Sequence, residues 1–321
     1  MRHVLVGAGA VGISYAWYLA QAGHEVAFLV KEKHADALRA GTNVYFPKKK
    51  GVREPVRFEG YEVLTSPEQL REKGCDAAWL CMSATAMRGP WLEPFLAELG
   101  SDATLVSLTP GAEDFAYLAE RFDPARIVTG LITLVAWQTP LPKEAEHPPG
   151  IAIWFPPRAK LPLFGPEART RPLVDALNGG GKTVARFAGA SAEDGGSVAS
   201  AILMSHVVAL EGVGWSFAAL RKSPLKRLAA RSSREGMAVL AALKGNKAPF
   251  GRKFVRTWSV GTVMRLAACQ APMDFEVYLE YHFMKVRDQT QFSMGELVRN
   301  GRDRGLPVEN IEKLRDTVFS A

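Results

Sequence analysis

The chain has 321 residues, 47% of them hydrophobic and 23% charged, with 40 Lys and Arg against 33 Asp and Glu. That length suggests two domains with cores of their own, and the composition excludes a disordered or fibrous chain. No apolar run approaches the ~20 residues needed to span a bilayer, and three cysteines (Cys75, Cys81, Cys269) lack metal-like spacing and argue against a disulfide framework.

The apolar run Val4–Val6 predicts a buried parallel strand. With a strand so close to Met1 there is no room for a signal peptide, so a cytoplasmic location with buried free thiols is expected. The strand breaks into Gly7-Ala8-Gly9-Ala10-Val11-Gly12, a G-x-G-x-x-G turn. A helix-compatible segment follows from Val11 to about Ala22, then a second strand over Glu25–Val30. This order is the context in which such glycines bind a dinucleotide. Gly7 permits the tight turn, Gly9 lets the backbone approach a pyrophosphate, and Gly12 lets helix and strand pack closely. The diphosphate is expected on the helix N-terminus, where unpaired N–H groups and the dipole favour an anion.

The tip of the second strand separates the nicotinamide cofactors. An acidic residue there accepts from a ribose 2′-OH, whereas a cation accommodates a 2′-phosphate. Lys31 takes that position and Lys33 follows it, so NADPH is expected, with Glu32 between them as the one contrary feature. Helical segments are expected at Lys33–Ala40, Pro67–Lys73, Trp91–Leu99 and Glu113–Phe122. Strands are expected at Ala77–Cys81, Thr104–Leu108 and Ile127–Leu134. Strands alternating with helices imply parallel βαβ units, whose ligands collect beyond the carboxyl ends of the strands. Those ends carry Met82-Ser83-Ala84 and Thr109-Pro110-Gly111, which places Ser83, Thr109 and Pro110 beside the cofactor.

A Pro-rich passage from Pro140 to Pro172 holds two further strand candidates, Ile151–Phe155 and Leu161–Phe164, and another lies at Thr183–Phe187. From Gly196 onward the pattern is helical, broken near Ser223-Pro224, Gly245–Phe250 and Ala271-Pro272. The expected fold is therefore a doubly wound, Rossmann-like α/β domain over 1–190, followed by an all-α domain over 191–321. Between residues 221 and 256 lie eleven Lys or Arg and one acid, Glu235. Apolar residues at helical spacing interleave them, which predicts a solvated helix face, and no nucleic-acid motif accompanies it.

The start Val4-Gly7-Ala8-Gly9-Ala10-Val11-Gly12, the basic residue after the second strand and the helical second half resemble the ketopantoate reductases. So do His34–Gly41, Ile127–Leu134, His147-Pro148-Pro149-Gly150 and Gly301–Pro307. The resemblance spans nearly the whole chain. It implies an NADPH-dependent enzyme that reduces a 2-oxo acid to a 2-hydroxy acid. It also implies where the chemical groups should stand, and there the sequence departs. The family's lysine after the fourth strand aligns with Ser83, and its Asn in a Gln-Asn-Gly turn aligns with Pro110. A Lys and two Asn on one helix face align with Ser197, Ala201 and Ser205, and a substrate-binding Glu with Gln289 or Gln291.

In the family the lysine ammonium supplies the proton to the nascent alkoxide; Ser83 and Ser197 donate hydrogen bonds but are poor acids near neutral pH. His206, beside Ser205 and with an ordinary pKa of ~6.5, is the candidate replacement as general acid. His282 and Asp288 are weaker ones. Ser205, His282 and Gln289 are the candidate substrate contacts, while Trp137, Trp215 and Trp258 could line a pocket, and Arg252, Lys253 and Arg256 could meet a substrate carboxylate. The expected activity is NADPH-dependent reduction of a 2-oxo acid or a related carbonyl or imine, on a small anionic substrate other than ketopantoate. Neither metal, nucleic acid nor membrane is expected as a partner, and a homodimer is left open. Two alternatives stand beside this activity: an NADPH-binding sensor without catalysis, and an opine-type dehydrogenase.

Overall fold

In the computed structural model, which describes residues 1–48, 54–109, 111–192, 198 and 200–320, β1 (Arg2–Val6) runs through the middle of an eight-stranded sheet. Its side chains alternate as a strand dictates: Leu5 enters one apolar core, while Val4 and Val6 enter the other. Next come α1 (Ala10–Gln21), β2 (Glu25–Leu29), α2 (Ala35–Arg39), β3 (Thr42–Tyr45), β4 (Val56–Phe58), β5 (Glu62–Leu64) and α3 (Leu70–Lys73). After these follow β6 (Ala77–Leu80), α4 (Ala84–Met87), α5 (Leu92–Ala97), β7 (Thr104–Ser107), α6 (Ala112–Ala119) and β8 (Ile127–Gly130). The remainder of this unit is β9 (Val135–Thr139), β10 (Gly150–Trp154), β11 (Leu161–Phe164), α7 (Glu167–Asn178) and β12 (Ala185–Gly189).

The large sheet has the order β12-β11-β8-β7-β6-β1-β2-β5. Its pairs are parallel except β11, which runs antiparallel to β8. Val4 is paired with Ala27 on one side and Ala78 on the other. The chain thus winds outward from β1 through β2 and then returns to β6, so the strand order reverses between β1 and β6. In an open α/β sheet that reversal opens the ligand crevice at the carboxyl ends. Helix α1 supplies Ile13, Ala16 and Leu19 to one core and α5 supplies Leu92, Phe95 and Leu96 to the other, so both faces of the sheet are covered.

A second sheet, β4-β3-β10-β9, corrects the expected layout. Its β3, β4 and β9 were not expected, and the strand expected over Ile127–Leu134 ends at Gly130. Trp17 of α1 packs against Phe46 and Phe58, with ring centroids 5.5 and 5.4 Å apart, which ties α1 to this second sheet. The Pro-rich passage also ends in a helix, α7, which contains Pro172.

The chain divides into two compact units, Met1–Gly196 and Ser197–Ala321. The second unit is helical: α8 (Ser200–Glu211), α9 (Phe217–Lys222), α10 (Leu225–Leu243), α11 (Thr257–Gln270), α12 (Phe275–Lys285), α13 (Arg287–Asp303) and α14 (Glu309–Phe319). The interruptions fall near Ser223-Pro224, after Leu243 and at Ala271, as the breaker residues predict. Helix α10 packs against α8 and α14. A Cβ on Gly236 would stand 2.9 Å from that of Ala201, so α8 and α10 approach closely there. On α10, Arg227 and Arg231 are exposed, the solvated face expected of the basic stretch. Among the described residues no helix is long and apolar enough to cross a membrane. Cys269 is exposed, contrary to the expectation of buried thiols, whereas burial pushes the Cys75 thiol up to about 11 and raises Cys81 further.

Candidate functional site

The glycine turn lies at the reversal between β1 and β6. The Gly7 N–H donates to the Leu29 carbonyl at 3.0 Å and the Cys81 N–H to that of Val6 at 3.1 Å, so the turn is anchored on both sides. Gly7 has φ +100°, a conformation that disfavours any side chain. A Cβ on Gly12 would stand 2.2 Å from the Gly7 carbonyl oxygen. Gly9 differs: it is exposed, its φ is −73°, and nothing lies within 4 Å of where its Cβ would be. Neither conformation nor crowding by the protein demands a glycine there; a Cβ would occupy only the open space over the helix N-terminus. Gly9 is the N-cap of α1 but offers no side-chain bond, and the first turn has no acidic residue. The first N–H groups of α1 therefore face that space without a side-chain acceptor, which suits a diphosphate. Ala8, Ala10 and Val11 are half-buried and pack on the core beneath.

Lys31 and Lys33 follow the end of β2 and are exposed, as is Glu32. Among the described residues neither lysine forms an ion pair, so both ammonium groups can turn to a phosphate. Ser83 follows β6, but its hydroxyl is engaged. It accepts from the Ala86 N–H at 3.2 Å as the cap of α4 and shares a 3.0 Å hydrogen bond with Thr85. Thr109 is buried, its hydroxyl 2.9 Å from that of Ser107 and 3.7 Å from the Met87 sulfur. Its side chain thus belongs to the core, and this corrects the expectation that it faces a cofactor. Pro110 and Ser197 lie outside the described residues.

The sequence did not single out Arg88 and Asp114. Arg88 closes α4 and Asp114 opens α6, and they pair at 2.6 Å, which fixes the segments after β6 and β7 to each other. Burial raises the Asp114 carboxyl while Arg88 pulls it down. No local pattern announces a pair whose members are 26 positions apart.

In the helical unit several expectations are corrected. Ser205 is 1% exposed and its hydroxyl lies 2.9 Å from that of Ser232, so it fastens α8 to α10 rather than meeting a substrate. His206 is 5% exposed. Its Nδ1–H donates to the Ile202 carbonyl at 2.8 Å, and burial lowers its pKa, so at neutral pH it is a neutral imidazole whose N–H is taken. That removes the basis for its role as general acid. His282 stacks on Tyr278 with ring centroids 5.6 Å apart, and burial, then Lys285, lowers its pKa too. Gln289 is half-buried near the start of α13, while Asp288 and Gln291 are exposed. Trp137 and Trp215 are core residues, the latter stacked on Phe283 at 6.5 Å; the Trp258 side chain lies outside the description. Lys253 stands 5.1 Å over the Phe250 ring, and the Arg256 N–H is bonded to Ser259 at the start of α11.

Residues 3–159 match the profile of the family described as ketopantoate reductase PanE/ApbA. No curated protein matches the chain in sequence. Among solved structures, a PanE/ApbA family ketopantoate reductase from Ralstonia eutropha JMP134 has a TM-score of 0.68 at 18% identity, covering 99% of this chain and 97% of that one. D-Mandelate dehydrogenase with NADH and anilino(oxo)acetate has a TM-score of 0.68 at 17% identity, covering 100% and 97%. A 2-dehydropantoate 2-reductase from Methylococcus capsulatus has a TM-score of 0.62 at 18% identity, covering 98% and 94%. These likenesses establish the fold: an α/β unit followed by a helical one.

Proposed function

We propose that this chain, whose residues 3–159 match the ketopantoate reductase PanE/ApbA profile, is an NADPH-dependent reductase of a small 2-oxo acid other than ketopantoate, or of a related carbonyl or imine. The observation that carries this reading is Gly9, a glycine that the protein's own packing does not require, exposed at an uncapped helix N-terminus. The nucleotide, when bound, supplies hydride. The chain's residues bind and orient it: the α1 N–H groups take the diphosphate, and Lys31 and Lys33 take the 2′-phosphate. Ser83 remains a hydrogen-bonding group near the strand ends, and its O–H can donate while its oxygen caps α4.

The matching family is described as ketopantoate reductase, and the D-mandelate dehydrogenase structure holds anilino(oxo)acetate beside NADH. Both support a 2-oxo acid here. Ser83, Ala201 and Ser205 stand where the resemblance calls for Lys and Asn, which speaks against ketopantoate. The engaged Nδ1–H and lowered pKa of His206 favour a second reading, an NADPH-binding sensor without turnover. Cofactor oxidation across a panel of aliphatic and aromatic 2-oxo acids, with and without amines, separates the readings. Turnover of at least one substrate, with ketopantoate slow, supports the reductase. NADPH binding with no turnover on any member supports the sensor, and turnover only when an amine is added points to an opine-type dehydrogenase.

A further inference from the structure

The helical unit contains a cavity of about 60 Å³ between α8, α9, α10 and α11. Phe217, Leu220 and Met264 give it apolar walls, and the neutral His206 lies on the α8 side. Arg221, Lys226 and Arg265 line it too, with no acidic residue among its lining. Among the described residues none of these three cations has an ion-pair partner. The Lys226 ammonium donates to the Arg221 carbonyl, which holds it close to the end of α9. An apolar recess bordered by three cations and no carboxylate is matched by an anion with a small alkyl group.

Gly261 supplies the second observation. It sits inside α11, where glycine weakens a helix relative to other residues. Its φ is not in the left-handed region and nothing lies within 4 Å of where its Cβ would be, so neither strain nor crowding requires glycine. Gly261 lines the cavity, and the space beside it is open, so a long side chain there has room to reach across the cavity mouth. The size sets the ligand. A water molecule needs roughly 10–15 Å³, and a cavity of about 150 Å³ is one known to accept benzene. The space therefore suits a three- or four-carbon alkyl group better than a phenyl ring.

We propose that the helical unit binds a short-chain carboxylate, its three- or four-carbon alkyl group in the space beside Gly261 and its carboxylate held by Arg221, Lys226 and Arg265. The site is independent of the nucleotide cradle and stands or falls separately from the reductase reading. The test is titration of the full chain, without nucleotide, with isovalerate, 2-oxoisovalerate, isovaleramide, phenylacetate and inorganic phosphate, following heat and the imidazole NMR signals of His206. Saturable isovalerate binding that shifts those signals is expected, with the amide and phenylacetate at least tenfold weaker and phosphate ineffective. Comparable binding of 2-oxoisovalerate, read beside its turnover, shows whether a substrate or a non-reacting acid uses the site; either supports it. Gly261→Leu should weaken isovalerate at least tenfold while keeping or raising Tm and leaving NADPH affinity unchanged. Absence of saturable isovalerate binding overturns the proposal. So does phosphate binding as well as isovalerate, or a folded Gly261→Leu that binds isovalerate like wild type.

Discussion

Gly9 and Gly12 are three positions apart in the same turn, yet their substitutions should fail in different ways. At Gly9 the backbone is extended and the Cβ position is open, so Gly9→Val folds but fills the space in which a diphosphate must sit. Circular dichroism and Tm should match wild type while NADPH binding disappears. At Gly12 the added Cβ meets the Gly7 carbonyl at 2.2 Å, so Gly12→Ala must displace backbone and should cost about 1–3 kcal/mol of stability. A Gly9→Val chain that unfolds, or a Gly12→Ala chain as stable as wild type, contradicts this assignment of roles. These glycines were legible in sequence because the strand before them and the helix after them set the geometry locally. His206 was not. Whether a helical His is open or enclosed depends on what packs over it, here Ser233 of α10 and the walls of a cavity, and no spacing within α8 records that.

The lone acid of the basic stretch, Glu235, belongs to α10 but serves another helix. Its Oε2 accepts from the backbone N–H groups of Asn310 and Ile311 at 2.9 and 3.1 Å, and Oε1 accepts from the Asn310 side chain. The start of α14 has no side-chain cap of its own, so this carboxylate satisfies two otherwise unpaired donors at the positive end of the helix dipole. Glu235→Ala should destabilise the protein by about 1–2 kcal/mol, with Glu235→Gln recovering part of the loss. Thermal or urea unfolding reads this, and an unchanged midpoint in the Ala variant contradicts it. Long periodic elements such as α10 were legible, as were the breaks at Pro224 and Pro272. Apart from β10, the second sheet was not. Its strands are three to five residues long and carry polar positions such as Asn43, Arg57 and Gln138, so an alternation signal hardly develops before each strand ends. Helix α7 was hidden by Pro172, a residue that ordinarily argues against a helix interior.

Across the whole molecule, buried histidines tie stability to pH. His3, in β1, is fully buried and accepts from Trp79 Nε1 at 3.2 Å. Burial, then His24 and the N-terminal ammonium, lowers its pKa from 6.5 to about 3. His206 and His282 are shifted in the same direction. A depressed folded pKa means that the unfolded chain binds protons first as pH falls, so stability is full above about 6.5 and is lost progressively toward 3. Between pH 6.5 and 5 His3 alone should account for a loss of up to about 2 kcal/mol. His3→Gln should flatten that slope in pH-dependent unfolding; an identical slope contradicts the assignment. The two-part architecture was legible from the shift between alternating and purely helical patterns, whereas which side chains are enclosed and which face open space was not, because that depends on tertiary placement. If the glycine turn and the lysines after β2 form an NADPH site, paired titration with NADPH and NADH reads it without intermediaries. The wild type should bind NADPH at least tenfold more tightly than NADH, and Lys31→Ala should lose that preference. Equal affinities in the wild type, or an undiminished preference in Lys31→Ala, would contradict it.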